Sequence, residues 1–338
     1  MSKISYLKII GTIVLIILTS NIFIQAQTYK FKNPIVKQRA DPWVYKSKEG
    51  IYYLIATAPE YDRIEICESK TINGLSNAQP VVVWKKHEKG IMGHHIWAPE
   101  LHRIDGKWYI YFAAGEAEKI WNIRIYVLSN KSKDPLKGEW IEEGRIMTKH
   151  DSFSLDATTF EHNGNRYLIW AQNVYKNKHG TSLVLSKMKN PTTLEGPELV
   201  ISDPEFDWER IGYNVNEGPA VIKRNGKIFV TYSASATDHN YAVGLLWADD
   251  SANLLDSASW HKSKTPVFFT NEELKRFGPG HNSYTVAEDG KTDVMIYHAR
   301  DYKEIKGNSL HDPNRNTRAR VLYWTEDGWP DFRQEEGD

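Results

Sequence analysis

The chain has 338 residues with 43 basic and 43 acidic side chains, so its formal charge is zero. That balance gives no reason to expect a nucleic acid or an anionic membrane as a partner. Cys67 is the only cysteine, which excludes an intrachain disulfide and leaves stability to a large apolar core. The 12 tryptophans and 18 tyrosines exceed what such a core usually needs, and this composition favours stacking on sugar rings.

The first 26 residues are typical of a secretion signal. Lys3 and Lys8 give a basic start, and the apolar run over 9–18 is too short to span a bilayer. Ala26 is a small residue at a candidate cleavage point. We therefore expect a secreted or periplasmic protein whose mature part, residues 27–338, is one domain. A membrane anchor is the alternative, and the absence of a cysteine after the run argues against a lipid-anchored form.

A glycine turn followed at once by a β-prone, aromatic-rich run occurs five times. Four of the five turns are Asn-Gly or Asp-Gly, the pairs preferred in tight β-hairpins. The glycines recur every 56 to 64 residues, at Gly50, Gly106, Gly164, Gly226 and Gly290. Repeats of about sixty residues with several short strands each predict an all-β, five-bladed β-propeller. A β-sandwich or jelly roll is the alternative, which the regular spacing disfavours.

We predict one blade per repeat, with the strand before each glycine turn lining the central axis. The blades cover roughly 33–90, 91–150, 151–210, 211–275 and 276–333. Their innermost strands hold Arg39–Tyr45, Ile96–Leu101, Asp156–Phe160, Asn216–Val221 and His281–Val286. The third strand of blade five is predicted over 320–325. No low-complexity linker separates the blades, so we predict a single domain.

Polar residues recur at one position of the innermost strands. Nine residues before the glycines lie, in chain order, Asp41, Trp97, Leu155, Glu217 and His281. Asp156 follows Leu155 by one, which predicts a shorter hairpin or a bulge in blade three. Equivalent positions converge at one end of a propeller axis, so we expect the three carboxylates and His281 to form a ring beside Trp97. Clustered carboxylates repel one another, and proteins accept that cost where chemistry requires it.

Glycoside hydrolysis is the chemistry that fits such a ring. It needs a carboxylic acid to protonate the leaving oxygen and a carboxylate to act on the anomeric carbon, directly or through water. Trp97 and Trp43 would supply the apolar face of a sugar pocket. Glu100 lies three residues past Trp97, an odd offset that turns its side chain to the other strand face, and its role stays open.

Each residue of the ring also has a purely structural interpretation. Asp41 precedes Pro42 and would then only start a strand. Asp156 would cap backbone amides, and Glu217 would be a turn carboxylate. For His281 the alternatives are a core histidine and a metal ligand.

The segments around these residues resemble the signature segments of glycoside hydrolase family 43, in family order and over essentially all of 33–333. They are Arg39–Pro42, His95–Glu100, Ser154–Ala157, Asn216–Pro219 and Gly278–Ser283. The resemblance implies an enzyme with a five-bladed propeller that hydrolyses arabinose- or xylose-containing plant polysaccharides with inversion. It implies that Asp41 is the general base, that Glu217 is the general acid, and that Asp156 orients Glu217 and raises its pKa.

The resemblance also concerns the metal and the sugar contacts. His281 matches a residue that contributes to a central metal or water site, so we expect no required cofactor but allow a structural calcium or sodium ion near His281. A blade-five arginine often contacts sugar in relatives. Arg300, Arg318 and Arg320 are the candidates, and we predict Arg318 to bind substrate, together with Trp97, Trp43 and His281.

Finer resemblance points to one branch of the family. The segments Ala58–Glu65, Met92–Trp97, Asn214–Glu217 and Asp312–Arg315 are similar to secreted exo-acting α-L-arabinofuranosidases that trim α-1,5-linked arabinan. We therefore expect a monomeric enzyme whose partner is arabinan or another arabinose-containing polysaccharide. Three alternatives stay open: a β-xylosidase of the same family, a retaining furanosidase with Asp41 as nucleophile, and a non-catalytic sugar-binding propeller.

Overall fold

The computed structural model describes residues 29–175 and 180–338, and the signal expected over 1–26 lies outside these described residues. Short antiparallel strands dominate the described chain. Its helical elements are four 3₁₀ turns, at Asn73–Asn77, Asp207–Glu209, Ser257–Ser259 and Ser309–His311. Within the described ranges, no helix has both the length and the apolar character needed to cross a membrane.

The described strands form five blade sheets that follow one another along the chain, each with its first strand innermost, and one further two-stranded sheet. Blade one has β1 (Ala40–Lys46), β2 (Tyr52–Thr57), β3 (Arg63–Ser69) and β4 (Val81–Lys85). Blade two has β5 (His94–Ile104), β6 (Lys107–Gly115), β7 (Arg124–Asn130) and β8 (Ile141–Arg145). Blade three has β9 (Ser154–His162), β10 (Asn165–Gln172) and β11 (Ser182–Asn190), with β12 (Thr193–Leu194) and β13 (Leu199–Ser202) both paired to β11.

Blade four has β14 (Asn216–Arg224), β15 (Lys227–Ala234), β16 (Ala242–Asp249) and β17 (His261–Lys262). Blade five has β18 (Phe277–Val286), β19 (Asp293–Arg300) and β20 (Asn316–Val321), and a separate pair follows, β21 (Tyr323–Trp324) with β22 (Pro330–Asp331). The predicted five-bladed β-propeller is therefore confirmed.

The start of the described chain completes the outer edge of blade five. Val36 and Thr317 exchange backbone hydrogen bonds of 3.3 and 2.8 Å. The Asn33 amide donates to the Ala319 carbonyl at 2.8 Å and accepts from its N–H at 2.9 Å. Because these contacts join the two ends of the described chain, they close the ring of blades.

The core lies between the blades rather than within them. Trp108 packs edge-on against Tyr53 of blade one, with ring centroids 5.7 Å apart. Trp170 and Leu168 of blade three pack with Tyr111 of blade two. Each blade buries both faces only by stacking on its neighbours. Much of the aromatic content that composition assigned to sugar binding therefore fills the inter-blade core.

Each innermost strand is interrupted by a β-bulge at its cavity end. One residue of each bulge has a positive φ, between 42 and 54°. These residues are Asp41, Ala98, Asp156, Gly218 and His281. The bulge predicted for blade three is thus a feature of all five blades.

The hairpins after these strands differ in length. Blades two, three and four have two-residue Asp-Gly or Asn-Gly turns, whereas blades one and five have loops over 47–51 and 287–292. Because of this difference, equivalent strand positions lie nine residues before the glycine in blades one and five but eight residues before it in blades two, three and four. Glu217 consequently sits one residue before the position that Asp41 and Asp156 occupy.

The third strand of blade five begins earlier than the predicted 320–325. It is β20, and its residues are buried up to Arg320. Arg318 pairs with Asp301, and Arg320 pairs with Asp338 at 2.9 Å. Since paired guanidinium groups occupy core positions here, the strand lacks the apolar pattern by which a strand is recognised.

Candidate active site

A cavity of about 360 Å³ opens at the bulged ends of the innermost strands. Asp41, Asp156, Glu217 and His281 all line it, and Trp97 lies beside them. The structure therefore brings together the ring that the sequence predicts. Further lining comes from Trp121, Phe153, Tyr213, Tyr241 and Arg315.

Asp41 is held by a hydrogen bond from a neighbouring strand, and the donor is itself anchored by a second strand. The Thr57 hydroxyl on β2 donates to its Oδ2 at 2.6 Å. That hydroxyl in turn accepts from the Ala98 N–H on β5 at 2.8 Å. The bulge in blade two aims this N–H at Thr57, so the backbone of one blade orients the carboxylate of another.

A cation compensates the buried charge of Asp41. Arg315 Nη1 lies 3.2 Å from Asp41 Oδ1, and both side chains are buried. Burial alone would raise the pKa of Asp41, but the Arg315 guanidinium holds it well below its usual range. Asp41 is therefore an ionised carboxylate, the form that a general base needs.

Glu217 has the opposite character. Burial raises its pKa to about 7, although the Tyr241 hydroxyl, which donates to Oε1 at 2.8 Å, opposes the shift. The carboxyl therefore keeps its proton up to near-neutral pH, which suits a general acid.

Asp156 contacts the peptide that follows Glu217. Its Oδ2 accepts from the Gly218 N–H at 3.0 Å. Burial and then the charge of Glu217 raise the pKa of Asp156 well above its usual range. Gly218 has a φ of 54°, and a Cβ there would lie 3.0 Å from the His281 ring, so this contact requires glycine.

His281 lies between the two carboxylates that flank it. Its Nδ1 is 3.4 Å from Asp41 Oδ1 and 3.8 Å from Asp156 Oδ2. Burial lowers its pKa. Among residues 29–175 and 180–338, no group of three or more His, Cys, Asp or Glu side chains is arranged to hold a metal ion. The structural calcium or sodium ion expected near His281 therefore stays a prediction.

Two of the predicted sugar-contacting residues lie elsewhere. Trp43 packs between blades one and two, where its Nε1 donates to the Leu101 carbonyl at 2.8 Å and its ring lies 4.6 Å from His102. Arg318 is buried against Asp301, outside the residues that line the cavity. The structure therefore does not bring Trp43 and Arg318 together with the predicted ring.

The remaining residues left open also lie away from the lining. Glu100 is buried with its Oε2 at 2.9 Å from His102 Nε2, and burial raises its pKa. Arg300 donates to the Thr237 carbonyl at 2.6 Å. The side chains of Glu100 and Arg300 therefore make contacts within the protein.

Arg315 and Tyr241 are among the site residues that the sequence analysis did not single out. Arg315 ends the segment Asp312–Arg315 that carries the family resemblance, so a signal for it existed. Tyr241 has no motif around it and stands just before β16. Its role depends on the packing of blade four against blade five, which periodicity does not reveal.

The family model for glycosyl hydrolases family 43 matches residues 31–330. The chain is 58% identical over 277 residues to an extracellular exo-α-(1→5)-L-arabinofuranosidase of Streptomyces chartreusis, which covers 82% of this chain and 84% of that protein. It is 54% identical over 302 residues to a protein of the same name from Streptomyces avermitilis, which covers 89% of this chain. The chain spans only 63% of the length of that second relative.

A solved structure supports the same comparison. The crystal structure of α-L-arabinofuranosidase from Lactobacillus brevis superposes with a TM-score of 0.87 at 48% sequence identity. The superposition covers 90% of this chain and 96% of that one.

Proposed function

This chain belongs to glycosyl hydrolases family 43, and we propose that it is an inverting exo-α-L-arabinofuranosidase that releases terminal arabinose from arabinan or arabino-oligosaccharides. The observation that carries the proposal is the pair of opposed carboxyl environments in one cavity. Arg315 keeps Asp41 ionised, while burial keeps Glu217 protonated up to a pH of about 7. Two acids with separated pKa values are what hydrolysis of a glycosidic bond requires.

In the proposed mechanism, Asp41 removes a proton from a water molecule as that water attacks the anomeric carbon. Glu217 donates its proton to the departing glycosidic oxygen from the other side. Asp156 positions Glu217 through the Gly218 N–H. If Asp156 and Glu217 were both ionised, their negative charges would repel each other. The pair therefore favours retaining one proton, which helps to keep Glu217 protonated.

The cavity lining supports a sugar ring as ligand. Trp97, Trp121 and Phe153 supply apolar surface, and the carboxylates and Arg315 supply hydrogen-bonding groups. Trp121 is more than half exposed at the rim, where the rest of the oligosaccharide would lie. The names of the two Streptomyces relatives support exo action on α-1,5 linkages.

Assays on aryl α-L-arabinofuranoside and aryl β-D-xyloside, run side by side, test the proposal. We expect hydrolysis of the arabinoside at a kcat/KM well above that of the xyloside. Preference for the xyloside would identify a β-xylosidase, and no hydrolysis of either would indicate a sugar-binding propeller.

Proton NMR of the first product tests inversion. We expect β-arabinose to appear before mutarotation. An initial α-anomer, with a covalent adduct trapped on Asp41, would identify a retaining enzyme instead.

We also propose that the protein is secreted, acts as a monomer and requires no cofactor. Support for secretion comes from the signal-like residues 1–26 and from the word extracellular in the names of two relatives. N-terminal sequencing of protein from the culture fluid tests it, with Gln27 as the expected first residue. Activity after dialysis against a chelator tests the cofactor, and light scattering tests the oligomeric state.

A further inference from the structure

The residue before the proposed acid, Asn216, has every polar group engaged. Its N–H donates to the Thr181 carbonyl at 2.9 Å, and its carbonyl accepts from the Thr181 hydroxyl at 3.1 Å. In its side chain, Oδ1 accepts from the Ser202 hydroxyl at 2.6 Å and Nδ2 donates to Glu209 Oε1 at 3.0 Å. Thr181 and Ser202 belong to the blade-three segment, so Asn216 ties the start of β14 to the neighbouring blade.

Glu209, which accepts from Asn216, is a fully buried carboxylate. Its charge faces Lys262 Nζ at 2.8 Å, and the Tyr232 hydroxyl donates to Oε1 at the same distance. Its Oε2 accepts from the N–H groups of Glu205 and Phe206, both at 2.8 Å. Burying an ion pair costs desolvation free energy, and hydrogen bonds such as these offset that cost. A network in which every polar group is hydrogen-bonded favours a single geometry.

The strand geometry sets the relation of this network to the acid. Successive side chains on a strand point to opposite faces, so Asn216 is anchored behind β14 while Glu217 faces the cavity. On the other side of Glu217, the Gly218 N–H is held by Asp156. Both neighbours of the acid are therefore fixed, while the carboxyl itself has the Tyr241 hydroxyl as its hydrogen-bond partner.

We propose that Glu209, Lys262 and Asn216 form a positioning network that sets the place and burial of the Glu217 carboxyl. This inference rests on the proposed function of Glu217 as general acid. None of the three residues lines the cavity, so each acts through the backbone of β14 rather than on substrate.

An ion pair at the other end of the same strand, with Asp293 buried and Arg224 exposed, separates positioning from stability. Asp293 is buried and accepts from Arg224 at 2.5 and 2.9 Å. Arg224 ends β14, at the opposite end from Asn216. Asp293→Asn therefore weakens an anchor of the same strand without touching the residues around Glu217, and it serves as the matched control.

The test is Asn216→Ala, assayed on an arabino-oligosaccharide and on a dinitrophenyl arabinofuranoside. The dinitrophenolate leaves without a proton, so it reports every step except acid catalysis. We expect kcat on the oligosaccharide to fall by about 10–10²-fold, the scale of an ångström-level misplacement. On the activated substrate we expect less than about a threefold loss, and on both substrates KM should change little.

A pH profile gives a second readout. Asn216→Ala should admit water to Glu217, which lowers its pKa and moves the basic limb of kcat/KM to lower pH. Asp293→Asn should lower the melting temperature while leaving both the basic limb and the ratio of the two activities unchanged.

Ser202→Ala removes a single hydrogen bond to Asn216. If Asn216→Ala does not fold, this milder variant tests the positioning network. Its oligosaccharide activity should fall by about two- to tenfold relative to the activated substrate, the scale of one hydrogen bond. Equal losses on both substrates with an unmoved basic limb, in whichever variant folds, would overturn the network. An inactive wild-type enzyme would instead contradict the proposed function, and with it this inference.

Discussion

The two walls of the cavity carry the same chemical group in opposite states. On the wall formed by blades five and one, Arg315 and the Thr57 hydroxyl surround Asp41 and keep it ionised. On the wall formed by blades three and four, Asp156 and Glu217 face each other without a cation in contact, and their pKa values rise. Asp41 and Asp156 are both buried, so the charge of Arg315, helped by the Thr57 hydroxyl, separates the pKa of Asp41 from that of Asp156.

The comparison shows that neighbouring residues determine whether a carboxyl group is ionised, as a base must be, or protonated, as an acid must be. Asp41 and Asp156 occupy the same bulge position of their innermost strands, and Glu217 precedes that position by one residue, so strand position does not separate Asp41 from Asp156. The separation comes from residues of other blades, and substitutions on either wall test it.

The largest effect is expected from Asp41→Asn. The amide keeps the shape but cannot accept a proton, so kcat should fall by about 10²–10⁴-fold. The loss should be the same for oligosaccharides and for activated aryl arabinofuranosides, because both need an activated water. Steady-state kinetics on the two substrates, with circular dichroism as the folding control, measure it, and a loss limited to oligosaccharides would argue against Asp41 as base.

Glu217→Gln should be nearly as damaging, but selectively. Without a proton donor, release of arabinose from oligosaccharides should fall by about 10²–10⁴-fold. Substrates whose leaving group departs without protonation should be spared. Equal loss on both classes would remove Glu217 from the role of acid, and it would also remove the contrast between the two walls.

Arg315→Met makes the first wall resemble the second. The folded pKa of Asp41 is depressed by Arg315, so its ionised form is present at all but very low pH; without the cation the pKa rises. The acidic limb of kcat/KM should therefore move to higher pH. The basic limb, set by Glu217 near 7, should move far less.

At acidic pH this variant should lose roughly 10–10²-fold, the equivalent of one charge-assisted hydrogen bond. A full pH–rate profile against wild type is the measurement. An acidic limb that stays in place would show that another group ionises Asp41.

The smallest catalytic effect is expected from Trp43→Phe. Its indole N–H bonds to Leu101 and its ring lies outside the cavity, so KM should be unchanged. The free energy of unfolding should fall by about 0.5–1.5 kcal/mol for the lost hydrogen bond. Urea denaturation measures this, and Trp97→Phe, at a tryptophan that does line the cavity, is the comparison that should raise KM.

Much of the fold was accessible from the sequence because hairpin chemistry is local. Asn-Gly and Asp-Gly pairs adopt the positive φ values that two-residue turns need, so the five glycines gave the blade count and the innermost strands. The same count placed Asp41, Glu217 and His281 near the axis, but it made Glu217 equivalent to Asp41, whereas Glu217 lies one residue before that position. It missed Asp156 by one because blades one and five have longer hairpins than the three between them.

Contacts between distant segments were less accessible. Arg315 reaches Asp41 across 274 residues, and no period connects them. Arg318 was chosen by blade number alone, and its guanidinium pairs with Asp301 outside the cavity lining. Trp43 was predicted to contact sugar because the sequence does not distinguish a tryptophan that lines a pocket from one that packs between two blades.

The closure of the ring has a consequence for the order of synthesis. At about 5–20 residues per second, the 274 residues between Asp41 and Arg315 take roughly 14–55 s to be made. Throughout that interval the Asp41 carboxylate has no guanidinium, and hydration is its least costly state. Because Arg315 belongs to the last blade, Asp41 gains its cation only once blade five is in place, so the appearance of activity in a refolding time course would report closure of the ring rather than folding of any one blade.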